Sequence, residues 1–192
     1  KLKDSVSADF EDKASYEITI TATDSENLSV DQNLTLQVTD VNEAPTAVAL
    51  SANSIAENLA GTTIGTLSTT DPDTGDTFTY TLSGTDADSF ELSDSTLKLK
   101  DSVSADFEDK ASYEITVTAT DSANNTKAQA LTVNVTNVNE APTGVLLSSS
   151  SFDENSAGQS VGTLSATDQD TGDTFTYELS GTDADSFELS DS

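Results

Sequence analysis

The stretch KLKDSVSADFEDKASYEIT begins at Lys1 and is found again at Lys98. TGDTFTY at 74–80 returns at 171–177, and SGTDADSFELSDS at 83–95 returns at 180–192. Every pair is displaced by the same 97 residues. That period has the size of one β-sandwich domain and exceeds a solenoid turn, so the chain must fold as successive copies of one unit. The copies are cut off centre. Pro45 and Pro142 each follow a strand-like run and impose an extended connector. The predicted division is therefore 1–45, the C-terminal half of one repeat; 46–142, a complete repeat; and 143–192, the N-terminal half of a third. With no Met at its start, the chain reads as part of something longer.

Within the unit the apolar residues keep strict order. Tyr113, Ile115, Val117 and Ala119 alternate with Glu114, Thr116, Thr118 and Thr120, and Leu131, Val133 and Val135 alternate with Thr132, Asn134 and Thr136. Period two with one apolar face predicts half-buried strands. Strands are expected near 47–51, 54–58, 62–69, 77–83, 89–92, 96–100, 112–121 and 126–137. Turn chemistry separates them, as in DPDTGD. Short antiparallel strands at this density predict an all-β fold of tandem Greek-key sandwiches, immunoglobulin-like in size and arranged as a linear rod.

Composition narrows the function. There are 35 acidic residues against 7 lysines, no Arg and no His, for a net charge of −28. Nucleic acid and anionic membrane surfaces would be repelled. No run of 18 apolar residues is present, so no segment reads as a membrane span or a signal peptide. Absent Cys and His exclude Ser–His and Cys–His nucleophile chemistry and any disulfide framework. A paired-carboxylate hydrolase fits poorly, because few aromatics exist to line a sugar cleft. The expectation is a protein that is not an enzyme and whose small β domains need another staple.

Five short acidic features recur in order. AEN holds Glu57, TDPDTGD holds Asp71 and Asp73, ADFED holds Asp106 and Glu108, and TATDS holds Asp121. The connector closes the set with Asn137, Asn139 and Glu140, or Asp40, Asn42 and Glu43 one period earlier. In this order and spacing they resemble the extracellular cadherin repeat, specifically its bacterial cadherin-like kind. That family has an early Glu, DxD, DRE, a strand-end Asp and a DxNDNxP linker. The resemblance covers the whole chain.

It implies Ca2+ bound between consecutive domains. At the first junction the implied ligands are Asp9, Glu11, Asp40, Asn42 and Glu43, with Asp71, Asp73 and Asp121 from the middle repeat. At the second, Glu57, Asp106, Glu108, Asn137, Asn139 and Glu140 meet Asp168 and Asp170. Glu154 and Asp24 would supply the missing early Glu and strand-end Asp from neighbouring copies joined head to tail, the tail of one chain and the head of the next building one composite domain.

The chemistry agrees. Calcium takes six to eight hard oxygen ligands, and extracellular modules hold it at about 10⁻⁴–10⁻³ M. Without a cation, two carboxylates about 4 Å apart repel by roughly 1 kcal/mol in water. The linker departs from the family: DVNEAP and NVNEAP carry Glu43 and Glu140 for Asp and Ala44 and Ala141 for Asn, and DRE has become DFE. These changes imply two ions per junction, and Asn137 in place of an Asp implies a weaker second junction.

The leading expectation is a calcium-stiffened structural segment of an extracellular bacterial adhesin or filament. The alternative is a cadherin-like module that binds polysaccharide, a cell-surface ligand or its own kind. A third is that the charge only solvates the surface in high salt. Asp86 and Asp88 in GTDADSF, although spelled DxD, read as turn and solubility residues.

Overall fold

The computed structural model describes residues 1–190 of the chain. In order, its strands are β1 (Ser15–Thr23), β2 (Ser29–Gln37), β3 (Ala47–Leu50), β4 (Ser54–Ala56), β5 (Thr63–Thr70), β6 (Thr79–Ser83), β7 (Phe90–Ser93), β8 (Thr96–Leu99), β9 (Ser112–Thr120), β10 (Thr126–Thr136), β11 (Gly144–Leu147) and β12 (Leu164–Thr167). Single 3-10 turns occupy Ala87–Ser89 and Ala184–Ser186.

Strands β3 to β10 form a sandwich of two four-stranded sheets, ordered β4-β10-β9-β6 and β3-β5-β8-β7. The alternation seen in the sequence sets which faces meet. β9 buries Tyr113, Ile115, Val117 and Ala119. β10 runs antiparallel to it, with Val133 opposite Tyr113 and Leu131 opposite Ile115. The facing sheet contributes Val48, Ile64, Leu67, Phe90, Leu97 and Leu99. Burying one such aliphatic side chain fully is worth about 1.5–3 kcal/mol. Phe90 meets Tyr113 edge to face at 5.4 Å and ties one sheet to the other.

Each strand expected in this region forms, with shifted ends. β4 stops at Ala56 rather than 58, because the Glu57 side chain turns inward and Asn58 takes a left-handed φ of 65°. The expectation of antiparallel strands throughout fails at one place. β4 pairs parallel with β10, Ser54 facing Asn134 and Ala56 facing Thr136. The break at 51–53 carries the chain from the β3 sheet to the β10 edge, so the second and last strands of the sandwich lie side by side. Gly65 makes that break possible. A Cβ there would stand 2.8 Å from Ser51 Oγ and 2.9 Å from the Ala52 nitrogen. Gly162 repeats the arrangement, with Ser148 Oγ at 2.8 Å.

The flanking segments reuse the same registers. β1 pairs β2 with Ser15 opposite Gln37, as β9 pairs β10 with Ser112 opposite Asn134. β11 pairs β12 with Gly144 opposite Thr167, as β3 pairs β5 with Ala47 opposite Thr70. Among the described residues each flank forms a two-stranded sheet. No helix among the described residues is long and apolar enough to cross a membrane.

Candidate metal centres

Two acidic clusters form where each connector meets the sandwich. β9 and β10 are antiparallel, so Asp121 just past β9 and Asn137 just past β10 stand at opposite ends of the ladder. An 11-residue strand puts those ends about 35 Å apart.

At the first end, carboxylate oxygens of Glu11, Asp40, Glu43 and Asp73 all lie within 4.8 Å of one another, as do those of Asp71, Asp76 and Asp121. The connector is held there by named bonds. The Glu43 backbone N–H donates to Asp73 Oδ2 at 2.8 Å, and Asn42 Nδ2 donates to Asp121 Oδ2 at 2.8 Å. The loop is preformed, since Asp73 N donates to Asp71 Oδ1 at 3.0 Å. A cleft of about 310 Å³ lies between Phe10, Glu11, Asp40, Asn42, Asp73 and Asp76.

At the second end, Glu57, Glu108 and Glu140 converge, and Asp168, Asp170 and Asp173 form a neighbouring group. Glu57 is 2% exposed. Its Oε1 accepts Val138 N at 2.7 Å and its Oε2 accepts Phe107 N at 2.6 Å, tying the end of β4 to the DFE loop and the connector. Glu140 N donates to Asp170 Oδ2 at 2.7 Å, as Glu43 N does to Asp73. The substituted Asn137 uses its amide to bridge Glu108 Oε1 at 2.9 Å and Asp170 Oδ1 at 3.0 Å. Asp40, its counterpart, has no proton to give in the ionised state.

The electrostatics are those of crowded anions. Glu43 is held above the ordinary carboxylate range by burial, then by Glu11, Asp73, Asp40 and Asp9. Glu140 is raised by burial, with Glu57, Asp170 and Asp106 outweighing the hydrogen bond from Asn58. Burial, then Glu57, Glu140 and Asp170, raises Glu108 against a bond from its own backbone. Glu11 is raised too: its own backbone bond lowers it, but burial and repulsion from Asp40, Asp73 and Asp9 prevail. Asp121 goes the other way. Burial opposes its charge, yet donors from Asn42, Asn125 and Ala123 hold its pKa below the ordinary range.

These groups fit a hard divalent cation. Asp71 Oδ2 and Asp76 Oδ2 at one end, and Glu140 Oε2 and Asp168 Oδ2 at the other, are buried oxygens without a hydrogen-bond partner. The ion pairs among the described residues use Lys1, Lys98 and Lys110, and none reaches a cluster. Clustered carboxylate and amide oxygens suit calcium, which accepts many oxygens in flexible geometry. Ligand-free, these oxygens are both desolvated and mutually repelling.

Of the expected site residues, the structure gathers Glu11, Asp40, Glu43, Asp71, Asp73 and Asp121 at the first end, with Asn42 bonded to them. It gathers Glu57, Glu108, Glu140, Asp168 and Asp170 at the second, with Asn137 between them. Asn139 donates to the Glu140 carbonyl at 2.7 Å. Asp9 and Asp106 stand beside the clusters, each accepting at Oδ1 from its own turn, from Asp12 N at 3.1 Å and Asp109 N at 3.0 Å. Asp24 and Glu154 join neither cluster. Asp24 caps the β1–β2 turn by accepting Glu26 N and Leu28 N, and Glu154 is exposed.

Asp76, Asp173, Asn125 and Asn58 were not expected. Asp76 and Asp173 close TDPDTGD and TDQDTGD, and their recurrence one period apart was the available signal. Asn58 had the same signal, since it follows Glu57 in AEN and recurs as Asn155; Asn125 had none, its counterpart being Leu28. Asp86 has a different role from the solubility one expected. It accepts Glu114 N at 2.7 Å and the Lys110 ammonium, and so clamps the 87–89 turn to β9.

Residues 52–136 match the family model of the cadherin domain. Solved structures of the same architecture include extracellular cadherin domains 1–4 of protocadherin gamma B7, with TM-score 0.66 and 24% identity over 86% of this chain and 43% of that one. The protocadherin gamma B4 extracellular domain aligns with TM-score 0.60 and 27% identity over 85% of this chain and 28% of that one. Mouse cadherin-23 EC22–24 aligns with TM-score 0.57 and 23% identity over 87% and 57%. The chain spans between about a quarter and three-fifths of these structures' lengths.

Proposed function

We propose that this chain is a segment of an extracellular tandem-repeat protein, of the bacterial adhesin or filament kind, whose connectors are stiffened by calcium. On this reading 1–45 and 143–192 are parts of further cadherin-like repeats around a complete one at 46–142. Their role is structural: they hold an adhesive part at a distance along a rod.

The observation that carries the reading is the placement of the orphaned carboxylate oxygens. Asp71 Oδ2 and Asp76 Oδ2 lie at one connector, Glu140 Oε2 and Asp168 Oδ2 at the other. At the first connector Glu11, Asp40 and Glu43 from before Pro45 converge with Asp73 from after it; at the second, Glu57, Glu108 and Glu140 precede Pro142 and Asp168, Asp170 and Asp173 follow it, and bonds from Glu140 N and Asn137 to Asp170 link the two groups. A cation there joins the two sides, and its removal leaves anions that push them apart. Glu11, Asp40, Glu43 and Asp73 would hold one ion at the first joint, and Asp71, Asp76 and Asp121 a second. Glu57, Glu108, Glu140 and Asp170 would serve the second joint, where Asn137 can turn its amide to present Oδ1. Calcium supplies the positive charge; the chain supplies preformed loops and buried oxygens.

The test is a thermal melt with scattering measurements in calcium, magnesium and chelator. Calcium should raise the midpoint and hold the particle at one extended length, with magnesium far less effective because it sheds water reluctantly. An unchanged midpoint together with unchanged dimensions sinks the reading. Equal effects from any salt at the same ionic strength would instead support plain charge screening.

A further inference from the structure

We propose that the open edge of β6 is a docking site for an extended, positively charged peptide segment of another protein, which adds to the sheet as a further strand. β6 lies inside the complete repeat, away from both ends of the chain, and it ends its sheet in the order β4-β10-β9-β6. On one side Thr79–Ser83 pairs with β9 without a bulge, from Thr79 opposite Thr120 to Ser83 opposite Thr116. On the other side no strand pairs with it. Among the described residues, no backbone group of 79–83 bonds outside the β9 ladder.

Open edges are commonly blunted by shortness, proline, bulges or charge. The other edge strands follow that pattern. β3, β4 and β7 have four, three and four residues, and Glu91 of β7 is paired with Lys98 at 2.6 Å. β6 has five, and the run from Thr77 to Thr85 carries neither charge nor proline. The loop after β6 follows β9 and does not fold back along the edge. Asp86 N donates to the Glu114 carbonyl at 3.2 Å, and Asp86 Oδ2 accepts Glu114 N at 2.7 Å.

The side chains say what kind of strand fits. Thr79, Thr81 and Ser83 are exposed on the outer face, and Tyr80 and Leu82 are half-buried against the core. A strand laid along β6 meets hydroxyls on one face and apolar side chains on the other. Alternating Thr and Val suits both, while backbone pairing holds the segment in place.

Charge selects the partner. The chain carries a net −28, and acids bracket the neutral run, with Asp76 before it and Asp86 and Asp88 after it. Asp86 is engaged by Lys110, and Asp88 is exposed. A second copy laid antiparallel and centred on Thr81 would set the Asp76 end of each chain against the Asp86–Asp88 end of the other. A segment with basic residues at its two ends meets opposite charge at both. Residues 174–182 repeat 77–85 with one change, Glu178 in place of Thr81, and that change adds an acid.

The probe is a synthetic peptide of alternating Thr and Val with two lysines at each end, titrated into the isotopically labelled 192-residue chain and followed by NMR. Amide shifts and slowed hydrogen exchange should appear at Thr79–Ser83, in calcium and in chelator alike. A peptide of the same charge with a central proline should bind at least about tenfold more weakly, since it cannot pair as a strand. Thr81→Lys should weaken the original peptide by at least about tenfold, and Thr81→Glu should bind it as tightly or more so. Circular dichroism melts check that the middle sandwich survives; Thr81→Glu copies the residue at 178, and Ser83→Lys replaces Thr81→Lys if that variant does not fold. No change at 79–83, or equal binding of the proline peptide, would overturn the proposal. Binding abolished by calcium would place the lysines on the connector carboxylates and overturn it too. Dimers of the chain without peptide, seen by sedimentation and dispersed by Thr81→Glu, would give the edge to a second copy instead.

Discussion

Replacing Glu57 separates the two jobs its position implies. Glu57 is nearly inaccessible, and its two oxygens take the backbone N–H groups of Phe107 at 2.6 Å and Val138 at 2.7 Å. Glu57→Gln keeps one acceptor and points an amide N–H₂ at the other donor. One buried N–H is then left unpaired, at a cost of about 1–3 kcal/mol. Glu57→Ala orphans both donors, so roughly twice that is expected. A domain of this size loses about 4–8 °C of midpoint per kcal/mol. In chelator the Gln variant should therefore melt roughly 4–24 °C below the unaltered chain. The metal role is read separately, as the calcium-induced rise in midpoint, which should shrink in the Gln variant because a ligand at the Glu108–Glu140 cluster is lost. Urea unfolding in both conditions closes the cycle and checks that the slope is unchanged. A Gln variant that matches the unaltered chain in chelator, and keeps the whole calcium increment, would show that neither the tie nor the ligand assignment is right.

Asp40→Asn gives the first joint the amide already present at the second. Calcium titration by calorimetry should then lose its tighter class of sites, and an unaltered isotherm would contradict the ranking of the joints. Asn137→Asp should do the reverse, tightening the second joint in calcium and loosening it in chelator, where the bridge from Asn137 to Glu108 and Asp170 is gone. Asp86→Ala should destabilise the middle sandwich by about 1–3 kcal/mol through the unpaired Glu114 N–H and the freed Lys110, equally with and without calcium. Acidification in chelator should stabilise the joints. The folded pKa values of Glu11, Glu43, Glu108 and Glu140 lie above their ordinary 4.5, so the folded state holds protons that the unfolded chain has released. That contribution is complete below 4.5 and is lost as pH rises through the raised values. With calcium bound the slope should reverse, because protons compete for the ligands; melts across the acid range in the two conditions check both signs.

What could be read beforehand divides along physical lines. The alternation in SYEITVTAT determined a strand and its buried face, since period two has few other solutions, and β9 formed as expected. The parallel β4 was not legible, because three residues carry no sign of pairing direction and the crossover depends on a close approach at Gly65. Among the acidic residues, most of those in repeated motifs were found, although Asp76 and Asp173, which close TDPDTGD and TDQDTGD, were passed over. Asn125 was not found, because an amide recruited by a neighbouring carboxylate leaves no pattern along the chain, and Asn58, although repeated as Asn155, was overlooked beside Glu57. Asp86 was misjudged for a related reason. Its partners Lys110 and Glu114 are more than twenty residues away, and only the packed sandwich brings them to it.

The parallel pairing of β4 with β10 has a mechanical meaning. Strand β4 is the second strand of the sandwich and β10 its last, and they run the same way; the first connector enters through β3, so a tug on the two connectors reaches β4 across the 51–53 break and draws it lengthwise past β10. The ladder from Ser54–Asn134 to Ala56–Thr136 is then loaded in shear, with all its hydrogen bonds strained together. A hairpin pulled from its open end instead unzips one bond at a time. A unit built this way resists force at the β4–β10 ladder, near where the chain enters and leaves the sandwich.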